Sequence, residues 1–222
     1  MIEMKIKAVI FDLDGVICFT DHYHYLAWKE LADKLGLPFD EQKNNRIRGV
    51  SRMDSLEIVL EESDIQYTKE EKEAMASQKN TAYQKLLLSM TPRDVSKEIW
   101  ETLVTLRGRG LKLAIGSSSK NAPLILRQTG MQDFFDAVSD GNNISHSKPD
   151  PEVFLKAAEM LHLSPAECVV MEDAFAGIEA ACRGGFYSIG IGDAAACPNA
   201  TWNVSHFSEI ISILERQFTA LK

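Results

Sequence analysis

The sequence is poor in the features that mark secreted, zinc-binding or membrane-embedded proteins. Its 222 residues include four cysteines, and no two of them form a C-x-x-C pair. This argues against a zinc site or a disulfide framework and indicates reduced thiols. No apolar stretch reaches the length of a membrane span, and the first residues run into a predicted strand without signal-peptide organisation. We therefore expect a cytoplasmic protein that has no membrane partner.

Positive charge is also scarce. The chain has 24 Lys and Arg against 32 Asp and Glu, which gives a formal net charge of -8. Nucleic acids are bound mainly through clustered Lys and Arg, so this balance predicts no nucleic-acid partner. An acidic chain can still bind a small anion where a few positive side chains are collected at one site. We expect a monomer that acts on a small molecule.

Short apolar runs alternate with amphipathic helical patterns over most of the chain. The runs IKAVIF, LKLAIG, ECVVME and FYSIGIG end in Gly, Ser or acidic residues, as buried parallel strands often do. The patterns between them have helix length and commonly end at glycine. This alternation predicts an α/β fold with a parallel sheet. The predicted strands cover 6–11, 111–116, 167–172 and 186–192, and the predicted helices cover 94–109, 121–130, 151–162 and 174–183.

One long stretch, residues 21–90, breaks the alternation. It contains no good strand but several helical patterns, and the last of these begins with Thr68 three residues before Glu71, which is the spacing of a capping box. The simplest interpretation is a small helical domain inserted after the first strand. We predict a core domain of residues 1–19 and 91–222 and a helical cap domain of residues 20–90.

Charged and hydroxyl side chains follow several of the predicted strands. In open α/β sheets, ligands bind outside the carboxyl ends of the strands. FDLDGV carries Asp12 and Asp14 after the first strand, MEDAFAGI carries Glu172 and Asp173 after a later one, and SKPDP supplies Lys148 from a loop. We expect these side chains to share one crevice. The turn GSSSKN adds Ser117, Ser118, Ser119, Lys120 and Asn121.

The charges of this group predict its chemistry. Four ionised carboxylates in a confined site would repel one another and raise some of their pKa values. One Mg²⁺ together with Lys148 would offset most of that charge, and oxygen ligands are those that this hard cation prefers. A phosphate could then contact the metal, Lys148 and Ser117 beside a helix N-terminus. A carboxylate can also accept a phosphoryl group covalently, so the residues predict Mg²⁺-dependent phosphoryl transfer.

Taken singly, these residues have ordinary structural alternatives. A lone D-x-D at a strand end is commonly a turn or a helix cap. Glu172 and Asp173 could simply favour the N-terminus of the helix that follows them. A histidine on an amphipathic helix, such as His24, usually packs or hydrogen-bonds, and the basic stretch RIRGVSR could be a solvated helix end.

Taken together, FDLDGV, GSSSKN, SKPDP and MEDAFAGI resemble the four motifs of the haloacid dehalogenase-like hydrolase superfamily, in order and spacing and over nearly the whole chain. The resemblance implies a Rossmann-like core of that type, with helices on both faces of the sheet and an inserted all-helical cap. It implies that Asp12 is the nucleophile and Asp14 the general acid and base, with Ser117 and Lys148 as further catalytic residues. It also implies a cis bond before Pro149. The implied Mg²⁺ ligands are Asp12, the backbone carbonyl of Asp14, Glu172 and Asp173.

The cap narrows the resemblance to the β-phosphoglucomutase subfamily, through DGVICFTDHYHYLAWKELADKLG, RIRGVSRMDSL, SSSKNAP and QKNTAY. This resemblance implies that Thr20 and His24 govern cap closure and the orientation of Asp14, and that Arg52 holds the phosphate that is not being transferred. Arg48 stands where these mutases commonly have Lys, and Phe19 stands where they have an acid. The other implied substrate-binding residues are Trp28, Arg48, Gly49, Val50, Ser51, Ser55 and Lys79 in the cap and Ser118, Ser119, Lys120 and Asn121 in the core.

The activity that this resemblance implies is a phosphoryl transfer in two half-reactions. It would interconvert β-D-glucose 1-phosphate and β-D-glucose 6-phosphate through phospho-Asp12 and β-glucose 1,6-bisphosphate. A sugar-phosphate phosphatase, in which water takes the phosphoryl group, and a mutase for another β-sugar 1-phosphate remain as alternatives. A non-catalytic sugar-phosphate-binding protein is a third, which the intact Asp12 and Asp14 disfavour.

Overall fold

A computed structural model describes residues 6–47 and 51–219 of the chain. Its strands are β1 (Ala8–Phe11), β2 (Lys112–Gly116), β3 (Ala137–Ser139), β4 (Cys168–Glu172), β5 (Tyr187–Gly190) and β6 (Trp202–Asn203). They form one parallel sheet in the order β3-β2-β1-β4-β5-β6. This is the strand order of a Rossmann-like fold, and the predicted α/β class is confirmed.

The helices occupy the stretches between the strands and the inserted segment. They are α1 (Asp21–Leu35), α2 (Glu41–Arg46), α3 (Arg52–Leu60), α4 (Lys69–Leu87), α5 (Lys97–Gly108), α6 (Ala122–Gln128), α7 (Glu152–Met160), α8 (Phe175–Arg183) and α9 (Glu209–Thr219). Short 3₁₀ turns lie at Pro92–Asp94, Pro165–Glu167 and Gly192–Ala196. The four predicted strands are present with ends shifted by one or two residues, whereas β3, β6, α2 and α9 were not predicted.

Two compact units account for the chain. One is Met1–Phe19 with Thr91–Lys222, and the other is Thr20–Met90. In the first unit, Ile10 of β1 packs with Phe154 and Ala157 of α7 in a buried apolar cluster. The ring of Phe154 lies so close to Gly116 of β2 that a Cβ at Gly116 would come within 2.6 Å of it. Glycine at this position therefore allows α7 to pack directly on the sheet.

The second unit is helical, and its core is formed by large apolar side chains. Trp28 and Leu31 of α1 are buried with Leu56 and Val59 of α3 and with Ala76 of α4. Apolar residues at helical spacing supply this core, as the amphipathic patterns predict. The capping box before α4 is also present, because Thr68 and Glu71 each accept a hydrogen bond from the other's backbone N–H.

Within the described residues, no helix combines the length and the apolar character needed to cross a bilayer. The longest of them, α4, covers 19 residues and carries charged side chains along its length.

Candidate active site

The site is built where the order of the strands reverses, at the carboxyl ends of β1 and β4. Phe11 is in register with Met171, and the Asp12 N–H donates to the Met171 carbonyl oxygen at 2.9 Å. Asp12 directly follows β1, and Glu172 is the last residue of β4. Both residues are buried. Neighbouring parallel strands thus bring two carboxylates to one edge of the sheet, at the place where open α/β sheets bind ligands.

Lys148 joins these two carboxylates. It comes from the loop between β3 and α7, and its Nζ donates to Asp12 Oδ1 and to Glu172 Oε1. Its side chain is only 8% exposed, and its Nζ lies 4.7 Å from the centre of the Phe154 ring. Burial alone would lower the pKa of Lys148, but the charges of the two carboxylates and their hydrogen bonds raise it above its ordinary value. Lys148 is therefore a fixed buried cation.

One lysine does not balance the negative charge of this site. Burial raises the pKa of Asp12 well above its ordinary value, Lys148 opposes the rise, and Glu172, Asp173 and Asp14 add to it. Burial and the charge of Glu172 likewise raise the pKa of Asp173 to about 7, against the opposing effect of Lys148. The excess negative charge and the all-oxygen donor set both suit a hard divalent cation.

Two glycines permit the close approach of the acidic side chains. Gly15 has φ +91°, and a Cβ there would lie 2.1 Å from Asp173 Oδ2. A Cβ at Gly177 would lie 2.0 Å from Glu172 Oε1. These glycines belong to FDLDGV and MEDAFAGI, so the two motifs contain both the carboxylates and the space that the carboxylates need.

The side-chain oxygens of the predicted metal ligands do not all lie close to one another. In the part of the chain that is described, the one group of three or more possible His, Cys, Asp or Glu ligands whose atoms lie within 4.8 Å of one another is His146, Asp150 and Glu152. The predicted carboxylates do not form such a group, and Lys148 holds an oxygen of both Asp12 and Glu172. The fit of these residues to a cation therefore rests on their charge and their oxygen donors.

The serine-rich turn after β2 is ordered by its own hydroxyls. Ser117 is buried, and its Oγ accepts from the Ser119 N–H at 3.1 Å, while Ser119 Oγ accepts from the Asn121 N–H at 3.2 Å. Ser118 Oγ accepts from the Lys148 N–H at 3.5 Å. Asn121 is buried, and Lys120 is exposed. The structure thus brings Ser118 to the backbone of Lys148, and the Ser117 hydroxyl can still donate to an anion.

In the helical unit, His24, Trp28 and Lys79 come together. Lys79 Nζ lies 2.8 Å from His24 Nδ1 and 4.7 Å from the centre of the Trp28 ring. An ammonium group only donates, so Nδ1 accepts and the ring proton of neutral His24 lies on Nε2. Burial, with the charges of Lys79 and Arg52, lowers the pKa of His24 well below its ordinary value.

The other predicted cap residues differ in burial and in their contacts. Ser51 is the N-cap of α3 and accepts from the Asp54 N–H at 3.3 Å, so a capping role accounts for it. Burial lowers the pKa of half-buried Arg52. Thr20 and Ser55 are buried, whereas Phe19 in the other unit is 67% exposed. Arg48, Gly49 and Val50 lie outside the described residues.

Some side chains at the two clusters were not predicted. Tyr83 lies one helical turn after Lys79, its ring centre is 4.0 Å from that of His24, and Lys79 Nζ is 4.7 Å from its centre. Its i, i+4 spacing from Lys79 is the signal that could have identified it. Phe154, under Lys148, has no comparable signal, because an apolar residue in a helix ordinarily indicates core. The Lys148–Pro149 peptide bond is cis, as the resemblance implied.

A family model described as haloacid dehalogenase-like hydrolase matches residues 6–185. The chain belongs to this family, and it is an enzyme of it. The predicted superfamily is thereby confirmed.

Individual relatives point to sugar phosphates. The chain is 45% identical to the β-phosphoglucomutase of Bacillus subtilis over 188 residues, which cover 84% of this chain and 83% of that protein. It is 31% identical over 186 residues to a phosphorylated carbohydrates phosphatase of Thermotoga maritima, with 82% and 83% covered. A solved β-phosphoglucomutase from Clostridium difficile is similar with a TM-score of 0.88 and 36% identity, over 97% of this chain and 98% of that one. These similarities support a phosphoglucomutase or a sugar-phosphate phosphatase.

Proposed function

We propose that this protein is a β-phosphoglucomutase that interconverts β-D-glucose 1-phosphate and β-D-glucose 6-phosphate. The observation that carries the proposal is the buried contact of Lys148 with Asp12 and Glu172 at the reversal point of the sheet, in a chain 45% identical to a β-phosphoglucomutase. Phosphoryl transfer depends largely on positioning and on neutralising charge, and this contact supplies both for a carboxylate nucleophile.

In the first half-reaction, phospho-Asp12 gives its phosphoryl group to the C6 hydroxyl of β-glucose 1-phosphate. The bond from phosphorus to Asp12 Oδ breaks as the bond to O6 forms, and the Asp14 carboxylate takes the hydroxyl proton. The product is β-glucose 1,6-bisphosphate. Asp14 suits this role because it lies two residues after Asp12, at the same strand end.

In the second half-reaction, the bisphosphate presents its other phosphate to Asp12. A carboxylate oxygen of Asp12 attacks the phosphorus on O1, the O1–P bond breaks, and Asp14 returns its proton to O1. β-Glucose 6-phosphate leaves, and phospho-Asp12 is restored. In each half-reaction, Lys148 and the Ser117 hydroxyl hold the oxygens of the phosphoryl group that is being transferred. Each transfer passes directly between Asp12 and a sugar oxygen, so neither releases free phosphate.

A magnesium ion fits the acidic part of this site. Asp12, the backbone carbonyl of Asp14, Glu172 and Asp173 would hold it, and all of these donors are oxygens. Burial and the charge of Glu172 raise the pKa of Asp173 to about 7, which indicates that the site lacks positive charge. When bound, the ion offsets the charge on the transferring phosphoryl group. The residues then keep the separate tasks already assigned to them: Asp12 accepts phosphate, Asp14 moves the proton, and Lys148 holds the oxygens of the phosphoryl group.

The helical unit supplies the recognition of the sugar in this proposal. Neutral His24 has Nε2–H available as a donor, and buried Lys79 carries a positive charge beside it. Arg52 adds a second cation to an anion-binding set that also includes Trp28 and Ser55. We assign the phosphate that is not transferred to Arg52, because a guanidinium binds phosphate through two parallel hydrogen bonds.

A phosphatase of the same family is the second candidate, and the similarity to a carbohydrate phosphatase favours it. The two activities differ in what accepts the phosphoryl group from Asp12: a sugar hydroxyl in the mutase and water in the phosphatase. Both activities therefore require the same nucleophile and the same Lys148. The products of the reaction distinguish the two activities, whereas the residues of the α/β unit do not.

The test supplies β-glucose 1-phosphate, MgCl₂ and a trace of β-glucose 1,6-bisphosphate and follows glucose 6-phosphate and inorganic phosphate together. We expect glucose 6-phosphate to form with little inorganic phosphate. Release of one inorganic phosphate per sugar consumed would contradict the mutase and support the phosphatase. Turnover of another β-sugar 1-phosphate, with none of β-glucose 1-phosphate, would keep the chemistry and change the substrate.

A further inference from the structure

The loop that carries Lys148 has an anchor that the proposed mechanism does not use. Lys148 lies in the connection from β3 to α7, and its backbone contact to the serine turn is long, at 3.5 Å from N to Ser118 Oγ. A lysine side chain has many rotamers, so its ammonium stays against Asp12 only if the backbone of the loop is held in place.

Glu152, the first residue of α7, holds the base of this loop. Its Oε2 accepts from the Ser145 N–H at 2.9 Å and from the His146 N–H at 2.7 Å. Its Oε1 pairs with Lys156 Nζ at 3.1 Å, and Lys156 also donates to the Asn143 carbonyl oxygen. The side chain of Glu152 thus ties the start of the loop to the first turn of the helix that ends it, with Lys148 in between.

This anchor is a charged one. The hydrogen bond from the His146 N–H lowers the pKa of Glu152 most, burial opposes it, and Lys156 and the Ser145 N–H lower it further, to about 2. Hydrogen bonds to an ionised acceptor are stronger than those to a neutral one. Glu152 also belongs to the His146, Asp150 and Glu152 group. Its oxygens already accept from the Ser145 and His146 N–H groups and pair with Lys156, and Oε2 lies 3.3 Å from His146 Nδ1, so an anchor accounts for its contacts.

The chain contains a matched copy of this arrangement at another helix. Glu209 begins α9, and its Oε1 accepts from the Ser205 N–H at 2.9 Å and from the His206 N–H at 2.8 Å. The donors are again a Ser-His pair. The loop that Glu209 closes contains no residue assigned to the site, whereas the loop that Glu152 closes contains Lys148. Substitutions of the two glutamates therefore distinguish the general effect of losing a loop anchor from the specific effect of losing the anchor of the Lys148 loop.

We propose that Glu152 is a positioning residue for Lys148: its carboxylate fixes the 145–148 backbone so that Lys148 Nζ stays on Asp12 and Glu172. The proposal rests on the proposed function for its effect on turnover. Without the anchor, the ammonium samples positions away from the nucleophile, and stabilisation of the transferring phosphoryl group falls. Substrate binding changes less, because the proposed function assigns part of it to residues of the helical unit.

The experiment compares E152A, E152Q and the matched control E209A in the full chain. For each, we would measure Tm, kcat and KM for β-glucose 1-phosphate, and amide hydrogen exchange of the peptide covering 143–150. We expect E152A to lower kcat about 10- to 100-fold, as a misplaced catalytic group does, with a smaller change in KM. E152Q should recover part of kcat, because its amide oxygen can accept from both N–H groups.

The exchange measurement needs no substrate. We expect faster exchange over 143–150 in E152A, an intermediate rate in E152Q, and the wild-type rate in E209A, although E209A should lower Tm about as much as E152A. Unchanged kcat and exchange in E152A, or an equal loss of kcat in E209A, would overturn the proposal. Faster exchange in E152A, with a wild-type protein that does not convert β-glucose 1-phosphate, would support the anchor and contradict the proposed function instead.

Discussion

Lys148 of the α/β unit and Lys79 of the helical unit are both buried, but their neighbours differ. Lys148, in the α/β unit, is bonded to two carboxylates, and their charges raise its pKa. Lys79, in the helical unit, contacts neutral His24 and lies over the rings of Trp28 and Tyr83. A buried cation matched by opposite charge is a fixed part of the site. Aromatic rings and a neutral imidazole, by contrast, carry no formal negative charge.

The comparison explains why phosphoryl chemistry is assigned to the first unit and recognition to the second. At the sheet edge, acidic charge exceeds basic charge, and the pKa of Asp173 rises to about 7 because of burial and Glu172. In the helical unit, burial lowers the pKa of His24, and the charges of Lys79 and Arg52 lower it further. One cluster therefore suits a metal cation and the other a phosphate anion.

The largest expected effect comes from removing the nucleophile. Asp12→Asn keeps the shape of the side chain but cannot accept a phosphoryl group, so we expect turnover to fall by about 10³-fold or more. The variant should still fold, because Asn can accept a hydrogen bond from Lys148. The measurement is formation of glucose 6-phosphate, with Tm as the control for folding. Substantial turnover by D12N in a clean preparation would exclude Asp12 as the nucleophile.

Replacing each of the two buried lysines tests how each is stabilised. Lys148→Met leaves two buried carboxylates without their cation, so we expect a loss of about 3–5 kcal/mol in the free energy of unfolding. Lys79→Met removes a cation from two rings and should cost no more than about 2 kcal/mol. Denaturant unfolding of both variants at pH 7 tests this difference. Equal losses would show that the two lysines are not held in different ways.

Gly15→Ala tests the close packing of the acidic motifs. A Cβ at this position would lie 2.1 Å from Asp173 Oδ2, on a backbone with φ +91°. We expect a loss of about 1–3 kcal/mol in stability from this strain, together with lower activity, because Asp173 must move. Gly36→Ala is the matched control: its φ is +71°, but a Cβ there meets nothing within 4 Å. Equal loss of activity in both variants would contradict a role for the Asp173 contact.

The smallest expected effect is the pH dependence of the helical unit. The pKa of His24 lies well below its ordinary value of 6.5 in the folded state. Below pH 6.5 the unfolded chain therefore binds a proton that the folded chain does not, and the stability that neutral His24 contributes is lost as the pH falls towards its folded pKa. NMR titration of His24 should show this low pKa and a rise in Lys79→Met. A titration near 6.5 in the wild type would contradict the buried neutral imidazole.

The strands β1 and β4 and the carboxylates at their ends could be predicted from the sequence, because an apolar run is followed directly by a charged motif at each of them. Asp12 follows the buried four-residue strand β1, Glu172 ends the buried five-residue strand β4, and both strands were predicted. β3 and β6 have only three and two residues, too short for a periodic signal. The helix α2, EQKNNR, has no apolar face to reveal it.

Contacts between distant parts of the chain were the part that could not be predicted. Strand ends place Lys148 near the carboxylates in general terms, but its bond to both Asp12 and Glu172 depends on the path of its loop. In the sequence, Glu152 is an ordinary acidic residue at the start of a helix, and nothing there indicates that it anchors the loop. For Tyr83 the sequence offers only the i, i+4 spacing from Lys79, because its contact with His24 joins two helices that are far apart in sequence.

The most direct test follows one phosphoryl group. Protein incubated with MgCl₂ and β-glucose 1,6-bisphosphate labelled in its phosphates would be quenched in acid and digested, and the label located by mass. We predict label on the peptide that contains Asp12, none in D12N, and transfer of the label to sugar when β-glucose 1-phosphate is added before the quench. Absence of label on that peptide, or its loss to inorganic phosphate at a rate that β-glucose 1-phosphate does not change, would contradict the account.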